Sequence, residues 1–237
     1  MTTSESTDAR ATRPPLSRER VLASALALAD AEGIAAVTMR RVAGELGVEA
    51  MSLYHHVRGK DALLDGLIDV VVAEVHREVE ARGLPDDDWH AVVRERCLAA
   101  RVVMLRHPWA PGLLASRTSI PSGVLGLYEE VLGAMVRAGC SYRLAHRAMH
   151  ALGSMVLGFT QELFSPADAG GSLGDADADA AAALAAMARA LPYTTAMVGS
   201  EMHDAADPTL GWCDSQTEFE FTLDLLLDGL ERVRASA

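Results

Sequence analysis

His146 and His150 stand four residues apart, a spacing that places two imidazoles on one helical face and suits a shared metal ion. No cysteine lies nearby and no second acidic helix motif supports them, so they read as core or interface histidines. Asp175, Asp177 and Asp179 alternate as at the start of a calcium loop. The glycine of the sixth place and the glutamate of the twelfth are missing, and the segment reads as a solvated loop. Cys97, Cys140 and Cys213 are widely spaced and odd in number, which fits reduced thiols better than a disulfide framework or a zinc site. No Ser-His-Asp order, phosphate loop or dinucleotide fingerprint is visible. Neither enzyme chemistry nor a resident cofactor or metal is expected.

The chemistry this chain can offer is therefore binding, and charge indicates where. The net charge is -12, but it is unevenly spread. Residues 1–60 hold eight Lys+Arg against seven Asp+Glu, and the remainder holds 13 against 26. The acidity belongs to the C-terminal body, which leaves the first sixty residues able to approach a polyanion. With half of the residues hydrophobic, 5% aromatic and Ala and Leu abundant, the expected fold is all-α with a core of Leu, Val, Ala and Met. The polar N-terminus has no signal-peptide centre, and no apolar run reaches the roughly 18 residues of a membrane span. A cytoplasmic protein with no membrane partner is expected.

Elements follow from caps and periodicity. Residues 1–15 are expected to form a disordered arm. Ser17 offers an N-cap for a helix whose apolar stripe runs through Val21, Leu22, Ala25 and Leu28 and stops at Gly33. Thr38 starts a second helix that ends at Gly47, Glu49 begins a third reaching about His55, and Asp61 opens a long one to about Arg82. The helix–glycine–helix spacing over 38–55 is that of a helix-turn-helix.

Further helices are expected over Trp89–Arg106, Ser122–Ala138, Tyr142–Phe164, Ala181–Leu191 and Gln216–Arg234. A turn or two is expected near Leu113–Arg117, a flexible acidic loop over about 166–180, and irregular chain around Pro192 and Pro208. The last helix is apolar over most of its circumference, with Phe219, Phe221, Leu223, Leu225, Leu226, Leu227 and Leu230. Such a helix is buried on several sides, which points to a homodimer joined through Tyr142–Phe164 and Gln216–Arg234. The domains are expected to divide as 16–62, helix-turn-helix, and 63–237, a larger helical body.

The stretch Val37–Leu64, VTMRRVAGELGVEAMSLYHHVRGKDALL, resembles the DNA-binding segment of tetracycline-repressor (TetR) family proteins. Its most specific part is Leu53-Tyr54-His55-His56-Val57 followed by Lys60 and Ala62-Leu63-Leu64. The body is similar to the tetracycline-repressor branch in Trp89, the break at His107, Gly139, Leu157-Gly158, Glu162 and Asp228-Gly229-Leu230-Glu231. The resemblance implies a transcriptional repressor that binds a palindromic double-stranded operator as a homodimer and is released by a small-molecule effector. A regulator of the same build without such a ligand is the alternative.

It also implies roles. Ala50, Met51, Ser52 and His55 would lie near base edges in the major groove, the first two offering apolar contact and the latter two hydrogen bonds. Arg40 would reach a guanine. Thr38, Tyr54, His56 and Lys60, the only lysine in the chain, would hold phosphates.

In the ligand site, His76 and Glu162 match a histidine and an acid of that branch. An amide-bearing position is Arg96 here, an aromatic is Ala100, the metal-binding histidine is Leu114, and Arg117-Thr118-Ser119 replaces a Thr-Arg-Pro turn. Losing the imidazole and gaining a guanidinium argue against magnesium-tetracycline. The expected pocket is lined by Ala100, Met104, Leu113, Leu114, Val131, Met149 and Met155, with Arg96 or Arg117 meeting an anionic or carbonyl-rich ligand. Each of these residues is equally compatible with a plain place in the core or on a solvated face.

Overall fold

A computed structural model describes residues 14–84, 88–159, 185, 186, 188–200 and 215–236 of the 237-residue chain. Among these the secondary structure is helical, with no strand. Helix α1 spans Arg18–Glu32; the Ser17 side chain accepts from the Arg20 amide at 3.3 Å and caps it. A single 3-10 turn, Ile34–Ala36, leads to α2, Met39–Leu46, capped by Thr38 Oγ1 on the Arg41 amide at 3.2 Å. Gly47 ends α2 in the left-handed region at φ 67°, a conformation that disfavours any residue with a Cβ. The Val48 amide then closes back on the Ala43 carbonyl at 3.0 Å.

The third helix, α3, is shorter than its sequence suggests: Ala50–Leu53, with 54–56 in a turn. The amides of His56 and Val57 both bond the Leu53 carbonyl, at 2.9 and 2.8 Å, which tightens the helix end. Leu53 and Val57 are buried, so this turn is pinned from inside.

Helix α4, Lys60–Arg82, connects the two halves of the molecule. Its 23 residues extend roughly 35 Å at 1.5 Å per residue. Leu63, Leu67, Val71, Val75 and Val79 form its buried stripe. It packs most extensively on α5, Trp89–Arg106, and also on α1, on α6, Ala110–Ala115, and on α7, Ser122–Arg137. The body is completed by α8, Tyr142–Gly158, α9, Pro192–Ser200, and α10, Ser215–Ala235. One buried cluster joins α1–α4 to the inner faces of α5 and α6; a second joins α5, α7, α8 and α10.

Two sequence expectations are corrected. The chain beyond Arg106 forms α6 with Pro111 in its first turn, where its missing N–H costs nothing. Pro192 likewise begins α9, where irregular chain is expected. His146 and His150 are not core: both are exposed on α8, with their Nε2 atoms 3.2 Å apart. Residues 1–13 of the expected arm over 1–15, the loop over 166–180, residues 160–164 of the expected Tyr142–Phe164 helix and Cys213 lie outside the described residues.

A polar knot joins the two halves. His107, buried at the end of α5, has Nδ1 2.7 Å from Asp30 Oδ1 of α1 and Nε2 3.2 Å from Glu74 Oε2 of α4. Trp109 Nε1 donates to the same Asp30 oxygen at 2.7 Å, and Arg106 Nη1 to Glu74 at 2.9 Å. Burial by itself raises the Glu74 carboxyl, but the hydrogen bonds from His107 and Arg106 outweigh it and hold the group below its ordinary 4.5. A depressed folded value stabilises the fold above pH 4.5, and that contribution disappears as pH falls through the folded value. Urea titrations in acid should therefore show a steeper loss of stability below pH 4.5 for the wild type than for Glu74→Gln; parallel losses would exclude Glu74 as a source.

Candidate nucleic-acid face and small-molecule cavity

The N-terminal helices turn a set of donors outward while burying Val42, Ala43, Leu53 and Val57. Met51 is 71% exposed and Tyr54 46%, and Arg40, His55 and Lys60 are also exposed. Thr38, Ala50, Ser52 and His56 are half-buried. Arg41 is committed to Glu32 at 2.6 Å, whereas Arg40 and Lys60 hold no ion pair among the described residues. Thr38 uses its oxygen to accept from the Arg41 amide, which leaves its O–H able to donate. Lys60 is the first residue of α4, where a cation sits beside the unpaired amides of a helix start. Arg58, also exposed in the same turn, was not singled out by the sequence.

The body holds a partly open cavity of about 330 Å³ between α4, α5, α6, α7 and α8 and the chain after α6. Of the sequence-derived set, Arg96, Ala100, Met104, Leu114, Arg117, Val131 and Met149 reach its wall. Leu113 and Met155 do not; they pack in the first and second buried clusters. His76 stands behind the wall, its Nδ1 3.5 Å from Glu130 Oε1, and Glu130 is ion-paired to Arg96. Glu162 lies outside the described residues. The sequence reading missed Val72, Val75, Val93, Cys97 and Tyr128. Val72 and Val75, three apart on α4, are buried residues whose helical spacing is the same whether they face a void or a neighbour.

The wall is mainly apolar; Thr118, Ser119 and Tyr128 add polar groups, and charge enters at two places. Arg96 pairs with Glu130, and Arg117 Nη2 lies 2.8 Å from Asp65 Oδ1, with Nη1 3.6 Å from Asp61 Oδ1. The Nε atoms of both arginines are buried and meet no acceptor. Burial pushes the Cys97 thiol up to about 12, so it is a small neutral wall residue and not a nucleophile. No group of three or more His, Cys, Asp or Glu able to hold a metal ion occurs among the described residues. Nor is any described helix long and apolar enough to cross a membrane.

The outer faces of α8 and α10, which pack side by side, carry Tyr142, 77% exposed, Phe221, 61%, and Leu225, 53%. Phe219, Leu223 and Leu227 on the opposite side of α10 are fully buried.

Comparison with known proteins covers both halves of the chain. The family model for bacterial regulatory proteins of the tetR family matches residues 21–67, and that for the tetracyclin repressor-like C-terminal domain matches residues 83–234. An HTH-type transcriptional regulator of Saccharopolyspora erythraea is 36% identical over 128 residues, 54% of this chain and 52% of that protein. The HTH-type transcriptional repressor DrrR1 of Streptomyces coeruleorubidus is 36% identical over 123 residues, 52% of this chain and 44% of its own. The chain thus spans about half the length of the curated relatives it matches. Among solved structures, the Streptomyces coelicolor TetR family protein ActR in complex with actinorhodin superposes with a TM-score of 0.67 at 27% identity, covering 93% of this chain and 99% of that one.

Proposed function

The chain belongs to the TetR family of bacterial regulatory proteins, and from this we propose that it is a homodimeric, cytoplasmic repressor released from a palindromic operator by a small molecule. The observation that carries the reading is α4. The helix starts at Lys60 beside the outward-facing donors and lines the body cavity with Val72 and Val75. One element thus touches both the proposed DNA face and the proposed ligand site. Residues 16–62 read the operator and residues 63–237 dimerise and bind the effector.

In the complex, Arg40, Ala50, Met51, Ser52 and His55 face base edges, while Thr38, Tyr54, His56 and Lys60 hold phosphates. The direct test is a salt series on DNA flanking the gene and on duplexes selected from a random library. Selective binding that weakens with salt supports the reading, and failure to enrich any sequence refutes it. Arg40→Ala should weaken operator binding by about 1–3 kcal/mol and relax selectivity at one base pair. Unaltered affinity and selectivity would remove Arg40 from the readout.

The exposed Phe221 and Leu225 favour a two-fold contact through α8 and α10. Two recognition units then suit half-sites about 34–36 Å apart or a multiple of this. Leu225→Arg should convert dimer to monomer in sedimentation; a wild type that is already monomeric at micromolar concentration would refute the contact.

The effector is apolar or partly anionic. An arginine at 96 and a leucine at 114 suit it better than they suit a magnesium-tetracycline complex. Release requires the effector to distinguish two arrangements of the body, by about 10⁴-fold to move the balance from 1:99 to 99:1.

A further inference from the structure

Two buried donors in the cavity wall, Arg96 Nε and Arg117 Nε, face no acceptor. A buried N–H without a partner is unfavourable, and a ligand oxygen placed on it removes that cost. The two arginines differ in what else they hold. The rest of the Arg96 guanidinium is tied through Glu130 to His76, so its partners lie within α4, α5 and α7 of the body. Arg117 instead reaches from the chain after α6 to the first two turns of α4, to Asp65 at 2.8 Å and Asp61 at 3.6 Å. Those residues follow directly on Lys60, at the end of α4 that meets the helix-turn-helix.

We propose that Arg117 couples the cavity to the DNA-binding end. A carboxylate or other anionic group of the ligand draws the Arg117 guanidinium from Asp65 and Asp61 toward the cavity, where its buried Nε gains an acceptor, and so frees the start of α4. The inference rests on the reading of the protein as a ligand-released DNA binder.

The chemistry favours competition over simple addition. A carboxylate binding side-on takes Nε and Nη2 together, and Nη2 is the nitrogen that Asp65 holds. One positive charge already faces two aspartates, so a third carboxylate must displace part of that set. The aspartates are the ones that can leave: the Asp61 side chain is 89% exposed and that of Asp65 47%, against 17% for Arg117. Water readily solvates a released aspartate, whereas an anion inside the apolar cavity has the arginines as its partners. The tie is thus weak enough to yield and placed where yielding moves α4.

The test uses full-length protein, a duplex selected with the wild type, and two probe pairs: 2-naphthoate and anthracene-2-carboxylate, each with its matching neutral arylmethanol. Wild-type protein should bind the carboxylates roughly tenfold or more tightly than the alcohols. Arg117→Gln should abolish that preference, and Arg96→Gln should retain most of it. Asp65→Asn, which leaves the cavity wall intact, should keep the preference. Its operator affinity, however, should change with saturating carboxylate by no more than about twofold, against tenfold or more for the wild type. Equal binding of acid and alcohol by the wild type overturns the proposal, as does a preference that survives Arg117→Gln or a full operator response in Asp65→Asn. Probe binding is measured without DNA, so failure to find any operator would count against the functional reading, while loss of the preference in Arg117→Gln would still stand.

Discussion

Arg101→Ala should lower the unfolding free energy by about 2–5 kcal/mol, the largest effect expected of any single substitution considered for this chain. Arg101 lies in the middle of α5 and is 1% exposed. Its Nε donates to Gln216 Oε1 of α10 at 2.9 Å, and its Nη1 donates to the Phe159 carbonyl at the end of α8 at 3.1 Å. The guanidinium carbon sits 4.6 Å from the centre of the Phe219 ring, which in turn meets Phe159 edge-on at 5.7 Å. One side chain therefore fastens three helices at the point where they converge. Truncation leaves a cavity, strands the Phe159 carbonyl, and removes a cation from an aromatic face. Arg101→Lys should recover only part of the loss, because an ammonium on a flexible stem does not reproduce the planar fork. Urea unfolding of the three proteins measures this. A truncated protein within about 0.5 kcal/mol of wild type would show that the clamp contributes nothing.

His107→Ala should cost about 2–3 kcal/mol through lost burial of the imidazole and lost hydrogen bonds to the Asp30 and Glu74 carboxylates. The histidine fills the junction of α1, α4 and α5, within hydrogen-bond distance of Asp30 on one side and Glu74 on the other. Asp30 keeps Trp109, and Glu74 keeps Arg106 and Arg77, so the loss is less than that of a fully stranded charge. Because Asp30 belongs to the DNA-binding helices and Glu74 to the body, hydrogen exchange should rise in α1 and at mid-α4 together. Exchange confined to the end of α5 would mean that the knot joins nothing.

The knot and the Arg117 tie grip α4 at separate points, Glu74 in its middle and Asp61 and Asp65 at its start. Loss of the Arg117 tie can therefore free the N-terminal end while the middle stays held. This division gives the proposed release a mechanical basis within one rigid helix.

Much of this was legible in the sequence because it depends on near neighbours. Ser17 and Thr38 cap the helices that follow them, Gly47 takes the left-handed turn, and the 3.6-residue stripe of α1 faces inward, each set within one or two turns of chain. The sequence also picked out Arg96, Ala100, Met104, Leu114, Arg117, Val131 and Met149, seven residues that the structure brings to one cavity. It misplaced Leu113 and Met155, since an apolar residue on an inward stripe has the same periodicity whether it faces a void or a neighbour.

What the tertiary structure alone decided are the pairings across long separations. Arg101 with Gln216 and Phe159, His107 with Asp30, and Arg117 with Asp65 lie 115, 58, 77 and 52 positions apart. Such partners are fixed by helix crossing angles and packing distances, which no local pattern encodes. For the same reason, whether an arginine is solvated, clamped in a core or left with a buried donor that meets no acceptor is decided only when the helices meet.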